Sequence, residues 1–514
     1  MVYFGFDLGD GESCIHWSRG MDSDVIPVPI GGYNSFISAV SEYNGQPLIG
    51  HTVLGNLGNV EGASVCFKRH FLENRPEYDA VILRFVRGVM AELRRNPDVS
   101  PFVDDDVNTC FVVGCPAGWK EEDRSRYREL MIRAGMKNVR IVSESRAAFE
   151  NALKGFGRDH IDPDYKKQAV LVIDIGSSTL DFAYVKDGNE YEVSTLGNVM
   201  LGGGLMDEML VMRSLEVQER SQPDTVREIR KLIEEDEAKK GKLMLAVRDL
   251  KEIYFNEENY YLSSNQTLSN TKKLIGNGKV YRVELMISPA IVEDYLISRP
   301  HPLLDNRSFE TCLRNSLADV YNKTIERKEP DVVILTGGPS RMNFFVELCR
   351  KQFRNSTVLI SPKPEYDISR GLVLIGKADE MMGRAIADIR RYVESDAVEN
   401  MTAEMIPGLV DSIAEPLADR VMEQCVIPVF RQWKNREIDT LNQFQDMARQ
   451  EMEKYLRSGT MQSEMAGWIQ PWSDSVIDKV EADIMEICSK YKVSIFLRRD
   501  RLIITAKGNS SGPA

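Results

Sequence analysis

The 514-residue chain contains no run of about 18 or more apolar residues, so nothing in it reads as a membrane-spanning helix. It has no paired CxxC spacing: its eight cysteines stand at 14, 66, 110, 115, 312, 349, 425 and 488. Most lie in apolar segments, which argues for reduced, buried thiols rather than disulfides or a zinc site. Basic excess is absent too. With 65 Lys and Arg against 78 Asp and Glu, the net charge of −13 leaves no dominant basic face for nucleic acid or anionic lipid. No repeat of solenoid length occurs. Met1 leads straight into strand-like residues without a basic segment and apolar core, so no signal peptide is expected and the cytoplasm is the expected location. What remains is a soluble globular composition, 43% apolar and 28% charged, in a chain long enough for two or three domains.

The most informative stretch is 170–185, VLVIDIGSSTLDFAYV. Val170 to Ile173 reads as a buried strand, followed by Asp174, a turn of Gly176, Ser177, Ser178 and Thr179, then Asp181 and the apolar run Phe182 to Val185. Small residues allow backbone amides to approach a bound group and form a nest for phosphate. An Asp on each flank is suited to hydrated Mg²⁺ facing that phosphate. Taken alone, the stretch reads equally well as an ordinary hairpin whose turn contains Gly and Ser.

A second copy tips the balance. Residues 3–16, YFGFDLGDGESCIH, place Asp7, Gly9, Asp10 and Gly11 in a similar turn between two apolar runs. A third element, VVILTGGPSRMNFF at 332–345, runs a strand into Gly337 and Gly338, with a helix expected from near Ser340.

These elements, in this order, resemble the actin-like ATPase superfamily, and most closely the nucleotide-binding domain of the seventy-kilodalton heat-shock chaperones. Segments 25–54, 64–72 (SVCFKRHFL), 112–153, 196–210 (LGNVMLGGGLMDEML) and 368–376 (ISRGLVLIG) resemble the family's intervening pieces, so the likeness covers roughly residues 1–376. The fold it implies is α/β: two actin-like lobes, each ribonuclease-H-like, over residues 1–380. The ligands it implies are ATP or ADP with Mg²⁺. By the same resemblance, Asp7 and Asp174 hold the metal's water shell with Asp181 in support. Lys68 neutralises the γ-phosphate and Glu144 faces the attacking water, so that Lys68, Glu144, Asp174 and Thr179 form the catalytic set. Gly9, Asp10, Gly11, Gly176, Ser177 and Ser178 lie along the phosphates, and Gly202, Gly203, Gly337, Gly338 and Arg341 on the ribose and adenine side. Arg248 and Lys251 are the nearest candidates for further adenosine contacts, with a solvated helix face as the alternative.

Two departures from the family pattern stand out. After Asp-Leu-Gly the family has two threonines, where this chain has Asp10 and Gly11, then Glu12. Carboxylates pointing at triphosphate in low dielectric would repel it by several (~2–4) kcal/mol, and by much less if solvated. They turn outward, recruit a cation or slow hydrolysis. Ser177 and Ser178 stand where the family usually has glycines.

Along the rest of the chain, apolar spacing predicts helices at 77–95 and 121–134, a strand at 139–142, and a helix from Glu144 to Leu153 capped by Ser143. Helices are also expected through 201–256, strands through 259–287 with an Asn277–Gly278 turn, and a further helix opened by Ser288 and Pro289. The acidic triple Asp104–Asp106 reads as a solvated loop.

Beyond 380 the likeness ends, and neither the chaperones' apolar linker nor their peptide-gripping β-sandwich is found. Residues 381–514 read as mostly helical, with one stripe at Leu409, Ile413, Leu417, Val421 and Cys425 and another at Phe444, Met447, Glu451 and Tyr455. Pro407, Pro416, Pro428 and Pro471 are expected to punctuate these helices. A terminal hairpin is read at 493–497 and 502–506. The tail's 17 basic and 21 acidic residues are too balanced for a lipid-binding helix; a protein client or partner is the expected ligand, and an oligomer stays open. The leading functional expectation is a chaperone-like ATP switch. The alternatives are an actin-like filament or scaffold protein and a nucleotide-binding pseudoenzyme.

Overall fold

The computed structural model describes residues 1–55, 61–155, 168–186, 189–191, 201–491 and 493. The chain divides into two compact units, Met1–Lys377 and Ala378–Ala514. The terminal hairpin read at 493–506 lies, apart from Val493, outside the described residues, as do residues 196–200 of the glycine-rich stretch.

The first unit is built on one strand order used twice. One sheet runs Ile26–Pro27, Glu12–Ser18, Val2–Leu8, Thr109–Cys115, Val139–Ser143, with Ser35–Ile37 also pairing against Glu12–Ser18. The other runs Asn189–Tyr191, Leu180–Lys186, Ala169–Ile175, Val332–Thr336, Thr357–Ile360. In each, an antiparallel hairpin fills one half and parallel strands the other. The central strands Thr109–Cys115 and Ala169–Ile175 are buried along all seven residues, as expected where both faces of a sheet are covered. Phe4 stacks on Phe111 at 4.9 Å in the first core, while Leu171, Ile173, Phe182 and Leu335 belong to the second.

This order puts chemistry at one edge of each sheet. The hairpin turns follow Leu8 and Ile175, Glu144 follows the strand ending at Ser143, and Gly337 follows the strand ending at Thr336. Ligands of α/β sheets bind outside the carboxyl ends of parallel strands, which is where these residues stand. Helix Glu144–Lys154 starts where its cap predicts: Ser143 accepts a hydrogen bond from Arg146 N. Helix Pro76–Arg95 buries Ile82, Phe85, Val86, Val89, Met90 and Leu93.

Several expectations need correction. Residues 259–264 belong to the helix Glu258–Ser264, and the strands begin at Leu268; Tyr261 is buried there, stacked on Tyr254 at 5.2 Å, so packing overrides the strand preference of its aromatic run. The expectation of helices through 201–256 is met by three of them, Gly203–Glu219, Pro223–Glu235 and Glu237–Asn256, separated at Pro223 and at Asp236, which caps the third. Near Ser340 the chain makes a 3-10 turn, Gly338–Arg341, before the α-helix Asn343–Gln352.

In the second unit, Pro407 and Pro416 sit inside helix Ala397–Val421 and Pro471 inside Gly459–Lys490, so they do not end helices. Pro407 and Pro471 lie on exposed faces with exposed residues four positions earlier (Ala403 and Gly467), where water can take the freed carbonyl. Pro428 does stand in the first turn of a helix, Ile427–Lys434. Helix Leu441–Leu456 opens with a capping box of Thr440 and Gln443. Its half-buried stripe is Phe444, Ala448, Met452 and Tyr455; Met447 and Glu451 are exposed. Among the described residues, no helix is long and apolar enough to cross a membrane.

Helix Pro364–Glu394 passes close to helix Glu144–Lys154 at Gly371, where a Cβ would lie 2.9 Å from Ala147 Cα and nearer still to its carbonyl. Gly371→Ala is therefore expected to cost about 1–3 kcal/mol of stability by forcing the helices apart. Urea denaturation of the full chain checks this, and an unchanged midpoint would contradict the packing described.

Candidate functional site

A cavity of about 780 Å³ in the first unit collects the strand ends of both sheets. It is lined by Asp7, Gly9, Asp10, Gly11, Lys68, Glu144, Asp174, Gly176, Ser177, Ser178, Thr179, Asp181, Gly203, Gly337, Gly338 and Arg341. Among the residues singled out by sequence, Gly202 is the exception: it packs behind the second loop, where a Cβ would collide with the Ser177 carbonyl.

The two hairpin turns face each other. A Cβ on Gly11 would lie 2.8 Å from Ser177 Oγ and 2.6 Å from Arg248 Nη1. Ser38 steadies the first turn: its Oγ donates to Gly9 O at 2.6 Å and its N to Gly11 O at 3.0 Å. The second turn is closed by Gly176 N donating to Thr179 O at 2.9 Å and is tied to the next helix by Gly204 N donating to Ser177 O at 2.7 Å. Thr179 Oγ1 donates to Asp181 Oδ2 at 2.6 Å. Gly337 has φ +80, and a Cβ there would lie 2.6 Å from Asp174 Oδ1, so only glycine lets the third loop reach the cavity.

Lys68 and Glu144 form a buried ion pair at 2.6 Å. Burial pulls the Lys68 ammonium down, but Glu144, Tyr127 and Asp7 outweigh it and raise its pKa above the ordinary value. The three aspartates behave oppositely. Burial pushes Asp7 up to about 7, with Glu144 adding to the rise and Lys68 opposing it. Burial pushes Asp181 to about 6, against the Thr179 hydrogen bond. Asp174 is raised well above the usual carboxylate range by burial and then by Glu144, Asp181, Asp7 and Asp367. Its Oδ1 is buried without a hydrogen-bond partner.

An orphaned carboxylate oxygen among mutually repelling carboxylates fits a divalent cation. Among the described residues, no three His, Cys, Asp or Glu side chains are placed to ligate an ion directly. Contact through water therefore suits the set, as Mg²⁺ commonly keeps several waters.

Asp10, one of the two unexpected carboxylates, does not stand bare in the cavity. It is buried and meets Arg69 three ways: Arg69 N at 3.0 Å, Nε at 2.8 Å and Nη2 at 2.6 Å. Glu12 accepts from Ser35 Oγ at 2.9 Å. Arg248 and Lys251 are buried rather than on a solvated face, paired with Asp207 at 3.2 and 2.5 Å. Lys251 Nζ also donates to Gly203 O at 2.8 Å, and Arg248 Nη2 to Ser177 Oγ at 3.4 Å. Arg341 donates to Glu365 at 2.8 Å on the far wall. Sequence reasoning missed Arg69, Ser38 and Asp207. The signal for the last was an acidic residue inside the apolar run GLMDEML; Ser38 and Arg69 carried none beyond their neighbours.

A family model described as "Hsp70 protein" matches residues 87–284. The chain is 25% identical over 362 residues to the chaperone protein DnaK of Elusimicrobium minutum (strain Pei191), covering 66% of this chain and 51% of that protein. The chain carries an Hsp70-family nucleotide-binding domain. To DnaK of Thermosipho africanus (strain TCF52B) the chain is 28% identical over 252 residues, 47% of this chain and 40% of that protein. To DnaK of Endomicrobium trichonymphae it is 29% identical over 218 residues, 40% and 34% respectively. The chain thus spans about half or less of the length of these curated relatives.

The raised aspartates give a pH test. Folded Asp7 holds its proton to about pH 7 against the ordinary 3.8, so its contribution to stability is fully present below pH 3.8 and lost as pH rises through about 7. Without divalent cations, chemical denaturation between pH 5 and 8 is expected to show a stability decline that Asp7→Asn flattens. Identical slopes for parent and variant would contradict the burial described.

Proposed function

We propose that the chain is an ATP-binding, Mg²⁺-dependent ATPase of the heat-shock chaperone type. In this reading its first unit folds as two actin-like, ribonuclease-H-like lobes whose closure on nucleotide controls a helical, partner-binding region at 381–514. The observation that carries the reading is the convergence, in one cavity, of two small-residue turns, three unneutralised aspartates and the Lys68–Glu144 pair. The match of residues 87–284 to the Hsp70 family model supports it, as does the repeated strand order of the first unit.

Phosphoryl transfer asks for position and charge compensation more than covalent help. Gly9, Gly11, Gly176, Ser177 and Ser178 would offer amides and hydroxyls to the β- and γ-phosphates, with Thr179 beside Asp181. Lys68, held protonated, would turn from Glu144 toward the γ-phosphate. Glu144 is thereby released to orient a water for in-line attack and to take up its proton. Asp7 and Asp174, supported by Asp181, would hold Mg²⁺ through its waters. The metal supplies charge neutralisation at the phosphates when bound. Gly203, Gly337, Gly338 and Arg341 would line the nucleoside, with Gly202 behind them.

The Asp10–Arg69 pair removes the main electrostatic objection to a triphosphate at the first turn. In the second unit, exposed Ile406, Val410, Phe430 and Trp433 support a protein partner. The cysteines, seven of the eight buried, support a reducing compartment, and the cytoplasm is the proposed location.

Turnover assays on the full chain test the reading. Glu144→Ala is expected to retain nucleotide binding and to lower the ATPase rate by about 10²-fold or more. Equal rates for the two proteins would contradict the role given to Glu144. Arg69→Ala is expected to weaken Mg–ATP binding about tenfold, and Asp10→Asn in that background to restore it. An Arg69→Ala protein that binds as the parent does would show that Asp10 never faces the phosphates.

A further inference from the structure

Helix Pro364–Glu394 opens with a buried polar cluster that the proposed phosphate chemistry does not use. Asp367 is 2% exposed. Its Oδ1 accepts from Asn151 Nδ2 and from Ser361 Oγ, each at 2.8 Å, and its Oδ2 accepts from Thr336 Oγ1 at 2.6 Å. All three donors are neutral, and among the described residues Asp367 makes no ion pair. A carboxylate buried without a cation is a poor device for stability, since apolar side chains of similar volume often serve as well or better.

Its placement suggests another use. Asn151 lies on the helix whose first residue is Glu144. Thr336 sits directly opposite Asp174 in the parallel register and precedes Gly337. Two residues after Asp367, Ser369 Oγ lies 2.9 Å from His16 Nδ1, and the Ser369 carbonyl occupies the space a Cβ on Gly5 would need. Gly5 is two residues before Asp7 on the same strand. The opening turns of this helix therefore touch the Asp7 strand, the Glu144 helix and the strand paired with the Asp174 strand.

We infer that Asp367 is a positioning residue: through Asn151 and Thr336 it fixes the Glu144 helix against the Asp174 strand. This rests on the ATPase reading above. Loss of the cluster should leave the phosphate turns intact and disturb the metal-holding and water-orienting groups.

The test compares the full-length parent with Asn151→Leu/Thr336→Val/Asp367→Leu, which removes both sides of the main contacts, and with the single variants Thr336→Val and Thr336→Ser. Calorimetry with ADP, with and without Mg²⁺, is the readout independent of turnover; the ATPase rate is the second. For the triple variant, ADP affinity without metal is expected within about threefold of the parent, while the gain from Mg²⁺ and the turnover number each fall about tenfold or more. Thr336→Ser is expected to keep both and Thr336→Val to lose part of each. A folded triple variant that matches the parent in both readouts overturns the inference. If the triple variant fails to fold, Thr336→Val matching Thr336→Ser overturns it. A parent showing no Mg²⁺-dependent nucleotide binding overturns the ATPase reading and the inference with it, a separate outcome from an active parent with an indifferent variant.

Discussion

Like charges held close together under burial are the constraint around which the first unit is arranged. Asp7, Asp174 and Asp181 converge from two hairpins, each pushed toward its protonated form, and Lys68, which opposes the rise at Asp7 and Asp181, is bound to Glu144. Such a group is unfavourable in isolation. In the proposed reading a cation and its counter-anion would enter together, and the same repulsion would supply affinity for a metal–phosphate pair. The two sheets provide the stiffness to hold the carboxylates there, because each acidic residue sits near the end of a largely buried strand.

Duplication explains how so few residues achieve this. One strand order, used twice, brings two acidic turns to face each other, and the segments that follow the strands Val139–Ser143 and Val332–Thr336 add Glu144 and the third glycine turn. Where the chain departs from the family pattern, it compensates locally. Asp10 is matched by Arg69, and Ser177 is met by Arg248, which is itself held by Asp207.

The hairpins, the helix starting at Glu144 and the third glycine turn were legible in the sequence because they depend on short-range signals: apolar runs, small-residue turns and one N-cap. The Asp10–Arg69 pair was not, since Arg69 is 59 residues away and nothing in a linear pattern indicates which carboxylate a given arginine meets. Arg248 and Lys251 were read as no better than a solvated face for the same reason: their burial depends on Asp207 on another helix. The helix at Glu258–Ser264 was hidden because aromatic residues favour strands until a partner such as Tyr254 decides otherwise. Pro407 and Pro471 misled because a proline rule written for buried helices weakens where water can satisfy the freed carbonyl.

The most direct measurement is titration calorimetry of the full chain with ADP in the presence and absence of Mg²⁺. The account predicts saturable binding that tightens with the metal and releases protons near pH 7, as Asp7 and its neighbours give up theirs. Binding that is indifferent to Mg²⁺, or no binding by well-folded protein, would contradict it.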